Sequence, residues 1–414
     1  MGNIILEELI INKNLVCYDF SCTENLNCYF AKKQLFIEYT NDVSNVPVSI
    51  LSIPFISTFL GIAWLENCNI YVDELDETYY YSLRETRTAY QDMYSEVSLK
   101  GRVVPCKIIK NEISNSENSL LLFGGGVDAH SSFIRNKQII SHIINIQGWF
   151  KDIAGQDKAA DADRTHCVDF AKRMGVEFLY VRSNFASVIN ATVFNKRYQR
   201  LLHDQWWHGI QHSMAFIGIS IVEAFRLGIS NLIIASSCTK GRLKPCASFI
   251  TTDSSYRFAK EGNVLHDAFE LNRQQKIKII VDYQKHSEEL YPLKVCSFND
   301  KNCCECEKCF RTILEIVAEG GNIRDYGFNI SDSLTETFKN VIERRLALWG
   351  IDFELKTYWL QSFSRMKENR ANIEDKEFVD WITQYDFRSN KKRCLRNYYR
   401  TNFFSILKRK LNIK

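Results

Sequence analysis

From residue 119 onward, short apolar runs alternate with segments of helical periodicity. Four apolar runs have the length and composition of buried strands, and they read SLLLFGG, HIINIQG, VEFLYVRS and NLIIASS. Between them, RTHCVDFAKRMG and GIQHSMAFIGISIVEAFRLG show helical spacing and end in glycine, as helices commonly do. Strands that alternate with helices in this way predict a doubly wound α/β fold built on a parallel sheet.

The same patterning divides the chain into three predicted parts. Residues 1–118 are rich in Tyr, Phe, Ile and Val with short alternations, which predicts an N-terminal α+β domain that ends in the polar stretch KNEISNSENS. Residues 119–328 hold the strand and helix alternation, and residues 329–414 form a helical extension rich in Trp and Phe. Residues 46–65 are uncharged and long enough to span a bilayer, but their prolines and hydroxyl residues favour a buried strand and helix.

Composition and charge narrow the class of protein. The 414 residues are 45% hydrophobic and 25% charged, as in ordinary soluble globular proteins. The N-terminal segment lacks the pattern of a signal peptide, which predicts a cytoplasmic protein whose 14 cysteines are reduced. Ten of the 53 Lys and Arg residues follow Asp386, and none of the 49 acids does. This basic tail suits a membrane surface or RNA, or else forms a solvated terminal helix.

The stretch LLLFGGGVDAHSSF, residues 120–133, places three glycines and one acid at the end of a predicted strand. Glycines there let backbone N–H groups approach an anion, and the helix that begins near Ala129 adds the positive end of its dipole. Phosphate is the ligand that this arrangement favours. A Walker loop is excluded, because no Gly-Lys-Ser/Thr follows. A Rossmann fingerprint fits formally at Gly124, Gly126 and Ala129, but the next strand ends in Gln147 where that fold has an acid.

The glycine stretch resembles the Ser-Gly-Gly-x-Asp-Ser pyrophosphate loop of the PP-loop ATP pyrophosphatases. Four positions match that pattern: Gly125, Gly126, Val127 and Asp128. Gly124 and Ala129 replace the two serines, which removes two hydrogen bonds to phosphate worth about 0.5–1.5 kcal/mol each. The resemblance implies that the loop binds ATP with Mg²⁺. The residues assigned to ATP are Leu122, Phe123, Gly124, Gly125, Gly126, Val127, Asp128, Ala129, His130, Ser131, Gln147 and His208, with Ser132 as a further candidate hydroxyl.

A cysteine cluster follows in the stretch VCSFNDKNCCECEKCFRT. Cys296, Cys303, Cys306 and Cys309 have the spacing C-x6-C-x2-C-x2-C, and four such thiolates can close a tetrahedral Zn²⁺ site. An iron–sulfur cluster and a group of buried free thiols are the alternatives. The fifth cysteine of the stretch, Cys304, either is not a metal ligand or takes the place of Cys303 as one. A closed four-cysteine site has no open coordination position, so we expect about one structural zinc per chain and no labile sulfide.

Loop and cluster together resemble the 7-cyano-7-deazaguanine synthase family, in which an Arg follows the zinc site closely, here Arg311. The resemblance covers roughly residues 119–320. It implies ATP-dependent activation of a carboxylate and transfer of nitrogen, giving an amide or a nitrile. The substrate segment of that family, of the type Gly-Tyr-Pro-Asp-Cys-Arg, has no clear equivalent in this chain. We therefore expect an adenylating ligase of this class that acts on a different, unidentified carboxylate-type acceptor.

Further candidate residues lie where the predicted strands end. Asp128, Ser237 and Lys240 are the predicted catalytic residues. Ser237 and Lys240 belong to a basic loop that also contains Ser236, Arg242 and Lys244. This loop either closes over a triphosphate or is an ordinary solvated loop. His208 and Gln211 contact ATP or substrate, or they pack in the core. Arg273 and Lys276 are weaker candidates on a later helix. Cys238 and Cys246 lie in the same loop, where thiolating PP-loop enzymes carry sulfur on a cysteine, so a sulfurtransferase is the alternative function. A nucleotide-binding module without catalysis is the third hypothesis.

Overall fold

The computed structural model describes residues 2–153, 157–240, 246–287, 291–297 and 299–410. Within these ranges the strands are β1 (Asn3–Asn12), β2 (Leu15–Cys22), β3 (Gln34–Glu38), β4 (Asn69–Asp76), β5 (Arg102–Ile109), β6 (Ser119–Leu122), β7 (Ile140–Gln147), β8 (Glu177–Ser183), β9 (Asn231–Ala235), β10 (Arg257–Phe258) and β11 (Gly262–Asp267). The α-helices are α1 (Val48–Leu51), α2 (Ile53–Glu66), α3 (Glu77–Met93), α4 (Val127–Arg135), α5 (Lys158–Met174), α6 (Ala191–Tyr198), α7 (His212–Leu227), α8 (Ile250–Asp253), α9 (Arg273–Lys285), α10 (Glu307–Ala318), α11 (Leu334–Arg345), α12 (Ile351–Glu354), α13 (Leu360–Glu368), α14 (Lys376–Gln384) and α15 (Phe387–Lys410).

All eleven strands join one sheet in the order β10-β11-β9-β6-β7-β8-β3-β2-β1-β4-β5. The five strands β11, β9, β6, β7 and β8 are mutually parallel, and β1, β4 and β5 form a second parallel group. The strands β2 and β3 join the two groups by antiparallel pairing. The sheet is therefore mostly parallel, which confirms the predicted α/β class.

The four strands predicted after residue 118 are present as β6, β7, β8 and β9. The two predicted helices between them are α5 and α7. Each ends at a glycine in the left-handed conformation, with φ of +68° at Gly175 and +66° at Gly228. A residue with a Cβ is strained in that conformation, which explains why glycine stands at both positions.

The apolar segment around residues 46–65 lies inside the protein. It forms α1 and α2 with no strand, so the expected strand was wrong, and the window Val48–Glu66, the one described segment long and apolar enough to cross a membrane, is 89% buried. Helix α2 packs against α7, and a Cβ added at Gly218 would lie 1.9 Å from Ser57 Oγ. Glycine at position 218 thus permits the close approach of these two helices. The helices' burial agrees with a globular α/β protein.

The chain divides into two compact units, Met1–Asn272 and Arg273–Lys414. The sequence pattern predicted boundaries after residues 118 and 328. Residues 1–118 do contain both helices and strands, but β3 pairs with β8, so the N-terminal strands and the later ones share a sheet. The amino-acid pattern shows where strands occur. It does not show which strands pair when, as with β3 and β8, they are separated by about 140 residues of chain.

The second unit contains α9 to α15 and the predicted four-cysteine site. Its interior is aromatic, as the sequence indicated. Phe310 of α10 lies with its ring centre 4.5 Å from that of Phe338 and 5.0 Å from that of Trp359. The final helix, α15, carries the basic tail.

Candidate nucleotide site and metal centre

The glycine stretch lies where the order of the parallel strands reverses. The chain passes from β6 to β7 and β8 on one side, then returns to β9 and β11 on the other side of β6. The carboxyl ends of β6 and β9 therefore flank a topological switch point, the usual place for a ligand in an open α/β sheet. The loop after β6 carries the glycines, and the loop after β9 begins with Ser236 and Ser237.

Each glycine of the loop has a different conformational role. Gly125 has φ of +73°, so it occupies the left-handed region. Gly126 is extended, with φ of −86° and ψ of 175°, and precedes α4 as its N-cap. A Cβ added at Gly124 or Gly126 would meet no atom within 4 Å. The loop thus borders open space that a Cβ would begin to fill, next to the amino end of α4, and Asp128 lies in the first turn of that helix.

Buried side chains hold this loop in place. Asn145 of β7 is 5% exposed and donates from Nδ2 to the Phe123 carbonyl oxygen at 3.0 Å, and Phe123 N–H donates to the Ile144 carbonyl oxygen at 2.8 Å. Asn145 was not predicted, and an amide between Ile144 and Ile146 in a buried strand is the signal that could have found it. The structure assigns it a positioning role at the end of β6.

Two residues predicted to contact ATP have side chains that point into the interior instead. His130 is 2% exposed, packs against Phe123 and Phe170, and has its Nδ1 3.0 Å from the Gly126 carbonyl oxygen. Burial lowers the pKa of His130 to about 3, so the ring is neutral. Ser131 is fully buried. Both side chains face the core, because α4 turns this face inward, and His130 contacts the loop from that side.

The remaining residues assigned to the loop fall into two groups. Phe123, Val127 and Ala129 are buried, so only their backbone groups are available, while Leu122 and Asp128 are half-buried. Ser132, the further candidate hydroxyl, is also buried, and its Oγ donates to Asp267 Oδ2 at 2.6 Å. Gln147 ends β7 half-buried, with Nε2 3.4 Å from Asn145 Oδ1.

The loop after β9 lies at the same edge of the sheet. Ser236 is buried and its N–H donates to the Asp267 carbonyl oxygen at 2.9 Å, while Ser237 and Lys240 are exposed. Lys240 N–H donates to the Phe269 carbonyl oxygen at 2.9 Å. The predicted cations Arg242 and Lys244 lie outside the described residues. The structure thus brings Ser237 and Lys240 to the switch point with exposed side chains.

His208 and His212 lie at the amino end of α7, where a π-helical turn covers Trp207–Gln211. Because α7 follows β8 and precedes the parallel strand β9, this end lies at the carboxyl edge of the sheet. Cys246 Sγ is 3.8 Å from His208 Nδ1 and 4.0 Å from His212 Nε2. Burial, and then the neighbouring His208, lower the pKa of His212 to about 4. Gln211 is fully buried, so it packs in the core.

A buried polar network beside this edge was missed by sequence reasoning. Asp253 is fully buried and accepts hydrogen bonds from Ser213 Oγ, from Ser248 Oγ at 2.7 Å and from His266 Nδ1 at 2.8 Å. The His266 side chain is fully buried as well. These residues come from α7, α8, β11 and the segment before α8, and so no short motif unites them. The network fixes the segment that contains Cys246 against α7.

The second unit contains the four-cysteine centre. The Sγ atoms of Cys296, Cys303, Cys306 and Cys309 all lie within 4.8 Å of one another, and those of Cys303 and Cys309 are 3.9 Å apart. A zinc tetrahedron with Zn–S bonds of about 2.3 Å has sulfur–sulfur edges of about 3.8 Å. The four sulfurs therefore fit a metal ion such as zinc, as predicted from their spacing.

Local hydrogen bonds prepare these sulfurs for a metal. Cys303 Sγ accepts from Glu305 N–H at 3.4 Å and from Cys306 N–H at 3.3 Å. A hydrogen bond from Cys309 lowers the pKa of Cys306 to about 5. Cys304 has φ of +58° and its thiol donates to the carbonyl oxygens of Asn302 and Asn329. Cys304 is therefore the spare cysteine, and Cys303 is the ligand.

The cations near this centre are engaged in the second unit's own contacts. Arg273 donates from Nε to Glu315 at 3.0 Å, and its guanidinium lies 6.0 Å from the Tyr358 ring centre. The guanidinium of Arg311 lies 4.2 Å from the same ring centre. Lys276 is 1% exposed. Arg273 of α9 and Arg311 of α10 therefore pack around Tyr358 within the second unit, and Lys276 of α9 is buried there.

No model of a known protein family matches this chain, and a search of curated proteins found no match. The function is therefore argued from the site.

Proposed function

We propose that the chain is an ATP-dependent adenylating ligase that resembles the 7-cyano-7-deazaguanine synthase class of PP-loop enzymes. It activates a carboxylate or similar oxygen as the adenylate, releases pyrophosphate, and transfers nitrogen to give an amide or nitrile. One observation carries the proposal: the loop with Gly124, Gly125 and Gly126 borders open space. It lies at the switch point of the parallel strands and at the amino end of α4.

In this proposal the chain's own groups bind and orient ATP. The N–H groups of the loop from Gly124 to Asp128 bind the β- and γ-phosphates, and the open space at Gly124 and Gly126 admits them. Asp128 holds Mg²⁺, which offsets phosphate charge. Ser237 and Lys240 are exposed at the facing loop, where they can contact the α-phosphate or the acceptor.

The four-cysteine centre has a structural role in this proposal. Four thiolates leave no coordination position for water or substrate, so the ion takes no part in the chemistry. Its cysteines come from the segment before α10 and from its first turn, so zinc joins that segment to the helix. We expect a cytoplasmic protein, in which the cysteine thiols stay reduced.

The alternative, a sulfurtransferase, is less well supported. A sulfur carrier must expose a thiolate, whereas Cys246 is 3% exposed, and a hydrogen bond to Cys238 together with burial raises the pKa of Cys246. Contact of the basic tail with RNA or a membrane surface stays a prediction. A nucleotide-binding module without catalysis differs from both in releasing no pyrophosphate.

The test is the identity of the products from ATP. Purified protein is incubated with Mg·ATP, ammonium and a panel of carboxylates, and nucleotides and phosphates are quantified. The proposal predicts AMP and pyrophosphate in equal amounts with at least one carboxylate, and none with Asp128→Asn. Formation of ADP and phosphate would contradict adenylation. ATP binding without any consumption across the panel would favour the binding module.

A further inference from the structure

Two histidines and two cysteines meet at the amino end of α7. His208 lies in the π-helical turn, His212 begins α7, and Cys238 and Cys246 belong to the segment between β9 and α8. Cys246 Sγ lies 3.8 Å from His208 Nδ1 and 4.0 Å from His212 Nε2. Cys246 also makes a side-chain hydrogen bond with Cys238. Two sulfurs and two imidazole nitrogens thus converge from two separate segments.

The neighbours of these side chains orient them as metal ligands are oriented. His212 Nδ1 lies 3.0 Å from the Trp207 carbonyl oxygen, so the ring donates its N–H there and turns the lone pair of Nε2 towards Cys246. A histidine that binds a metal commonly donates its other N–H to a carbonyl in this way. The Ser248 N–H donates to the sulfur of Cys246 and so fixes the position of that side chain.

We propose that His208, His212, Cys238 and Cys246 form a second metal site, of the zinc type with two cysteines and two histidines. The histidine spacing, H-x3-H, is among those found in such sites. Zn–S bonds of about 2.3 Å and Zn–N bonds of about 2.1 Å give a sulfur–nitrogen edge of about 3.6 Å. The two sulfur–nitrogen distances at Cys246 exceed this edge by only a few tenths of an ångström.

One side chain must move for the ion to bind. The ring centres of His208 and His212 are 5.2 Å apart. Among the described residues, the four cysteines of the second unit have ligand atoms that all lie within 4.8 Å of one another, and the present four residues do not reach that closeness. The His208 side chain is 59% exposed and lies 3.6 Å from Asp204, so it can rotate and also gives the ion a route from solvent. Binding Zn²⁺ displaces the thiol protons of both cysteines to solvent, and no electron transfer is involved.

The consequence of this site would be local and structural. The ion would join the amino end of α7 to the segment that follows β9, on the same edge of the sheet as the glycine loop. That segment carries Ser237 and Lys240. A metal there would fix the loop that faces the nucleotide site without itself contacting phosphate. The site is independent of the proposed reaction, because its formation requires no ATP.

The test is the zinc content of the full-length protein, purified under reducing conditions and supplied with zinc chloride alone. We expect about two ions per chain in the unaltered protein. Cys246→Ser and His208→Ala should each retain about one, and Cys309→Ser should also retain about one, because it disrupts the other centre. Cys106→Ser and His286→Ala alter an exposed cysteine and an exposed histidine, and both should retain about two.

Cobalt substitution provides the second measurement. Co²⁺ bound by two sulfurs and two nitrogens gives a visible spectrum distinct from that of four sulfurs, and this component should disappear in His208→Ala. Because His208 is exposed, this variant is expected to fold, and circular dichroism checks it. A content of about one zinc in the unaltered protein after reconstitution would overturn the proposal. So would about two zinc ions in folded His208→Ala together with an unchanged cobalt spectrum.

Discussion

Valine at Gly126 should abolish nucleotide binding while leaving the fold intact. Gly126 is extended, a conformation that valine adopts readily, and its added Cβ would meet no protein atom within 4 Å. The main cost to stability is a poorer N-cap for α4, about 1 kcal/mol. The cost to binding is larger, because the side chain would occupy the space assigned to phosphate.

The size of the binding loss follows from the hydrogen bonds that would be broken. A backbone N–H that donates to a charged phosphate contributes about 1.5–3 kcal/mol. Losing two such bonds weakens binding by roughly 3–6 kcal/mol, which raises Kd at least about 100-fold. Calorimetric titration with Mg·ATP measures this, and thermal unfolding shows whether the protein is still folded.

Two matched variants separate the effect on binding from the effect on backbone strain. Gly350→Val also places a side chain in open space but lies in the second unit, and it should bind ATP normally. Gly125→Val should lose both affinity and stability, because φ at Gly125 is +73° and a β-branched residue is strained there by about 1–3 kcal/mol. Unchanged ATP affinity in folded Gly126→Val would refute the assignment of phosphate to this loop.

The remaining predictions concern the acid, the metal centre and the buried histidine. Asp128→Asn should stay as stable as the parent and lose Mg²⁺-dependent turnover, and full activity in a turnover assay would exclude Asp128 as the metal-holding acid. Cys309→Ser should lower the unfolding temperature and zinc content, since metal binding contributes folding energy; Cys304→Ser is the control, and equal loss in both variants would contradict the ligand assignment. Burial lowers the pKa of His130 from about 6.5 in the unfolded chain to about 3 in the folded protein. Below about pH 6.5 His130 therefore binds a proton in the unfolded state but not in the folded state. The free energy of unfolding falls by up to about 1.4 kcal/mol per pH unit until about pH 3. His130→Phe should lose less stability than the parent between about pH 7 and about pH 4.5 in urea titrations, and equal losses would show that His130 does not carry this dependence.

Local pattern was enough to predict the parallel strands and the metal ligands. The runs that became β6, β7 and β9 are apolar because both faces of those strands are largely covered, whereas β8 alternates buried and half-buried positions. The four cysteines of the metal centre lie within fourteen residues, so tight turns alone bring them together. Cys304 could be set apart from Cys303 only in three dimensions, where its thiol donates to two carbonyl oxygens.

Features that depend on distant pairing could not be predicted. The pairing of β3 with β8 merges the N-terminal strands into the main sheet, and nothing in either segment encodes its partner. The burial of His130 depends on which face of α4 meets Phe170. The cluster at Asp253 draws residues from four segments, each unremarkable in isolation.

Hydrogen–deuterium exchange with and without Mg·ATP tests the central claim most directly, because it reports on backbone N–H groups. The claim is that the amides from Gly124 to Asp128 bind the phosphates of ATP. We predict that saturating Mg·ATP slows exchange in peptides that cover this loop, and that it does not do so in Gly126→Val. Binding of ATP that leaves exchange of the loop unchanged, with protection in other peptides only, would contradict the account.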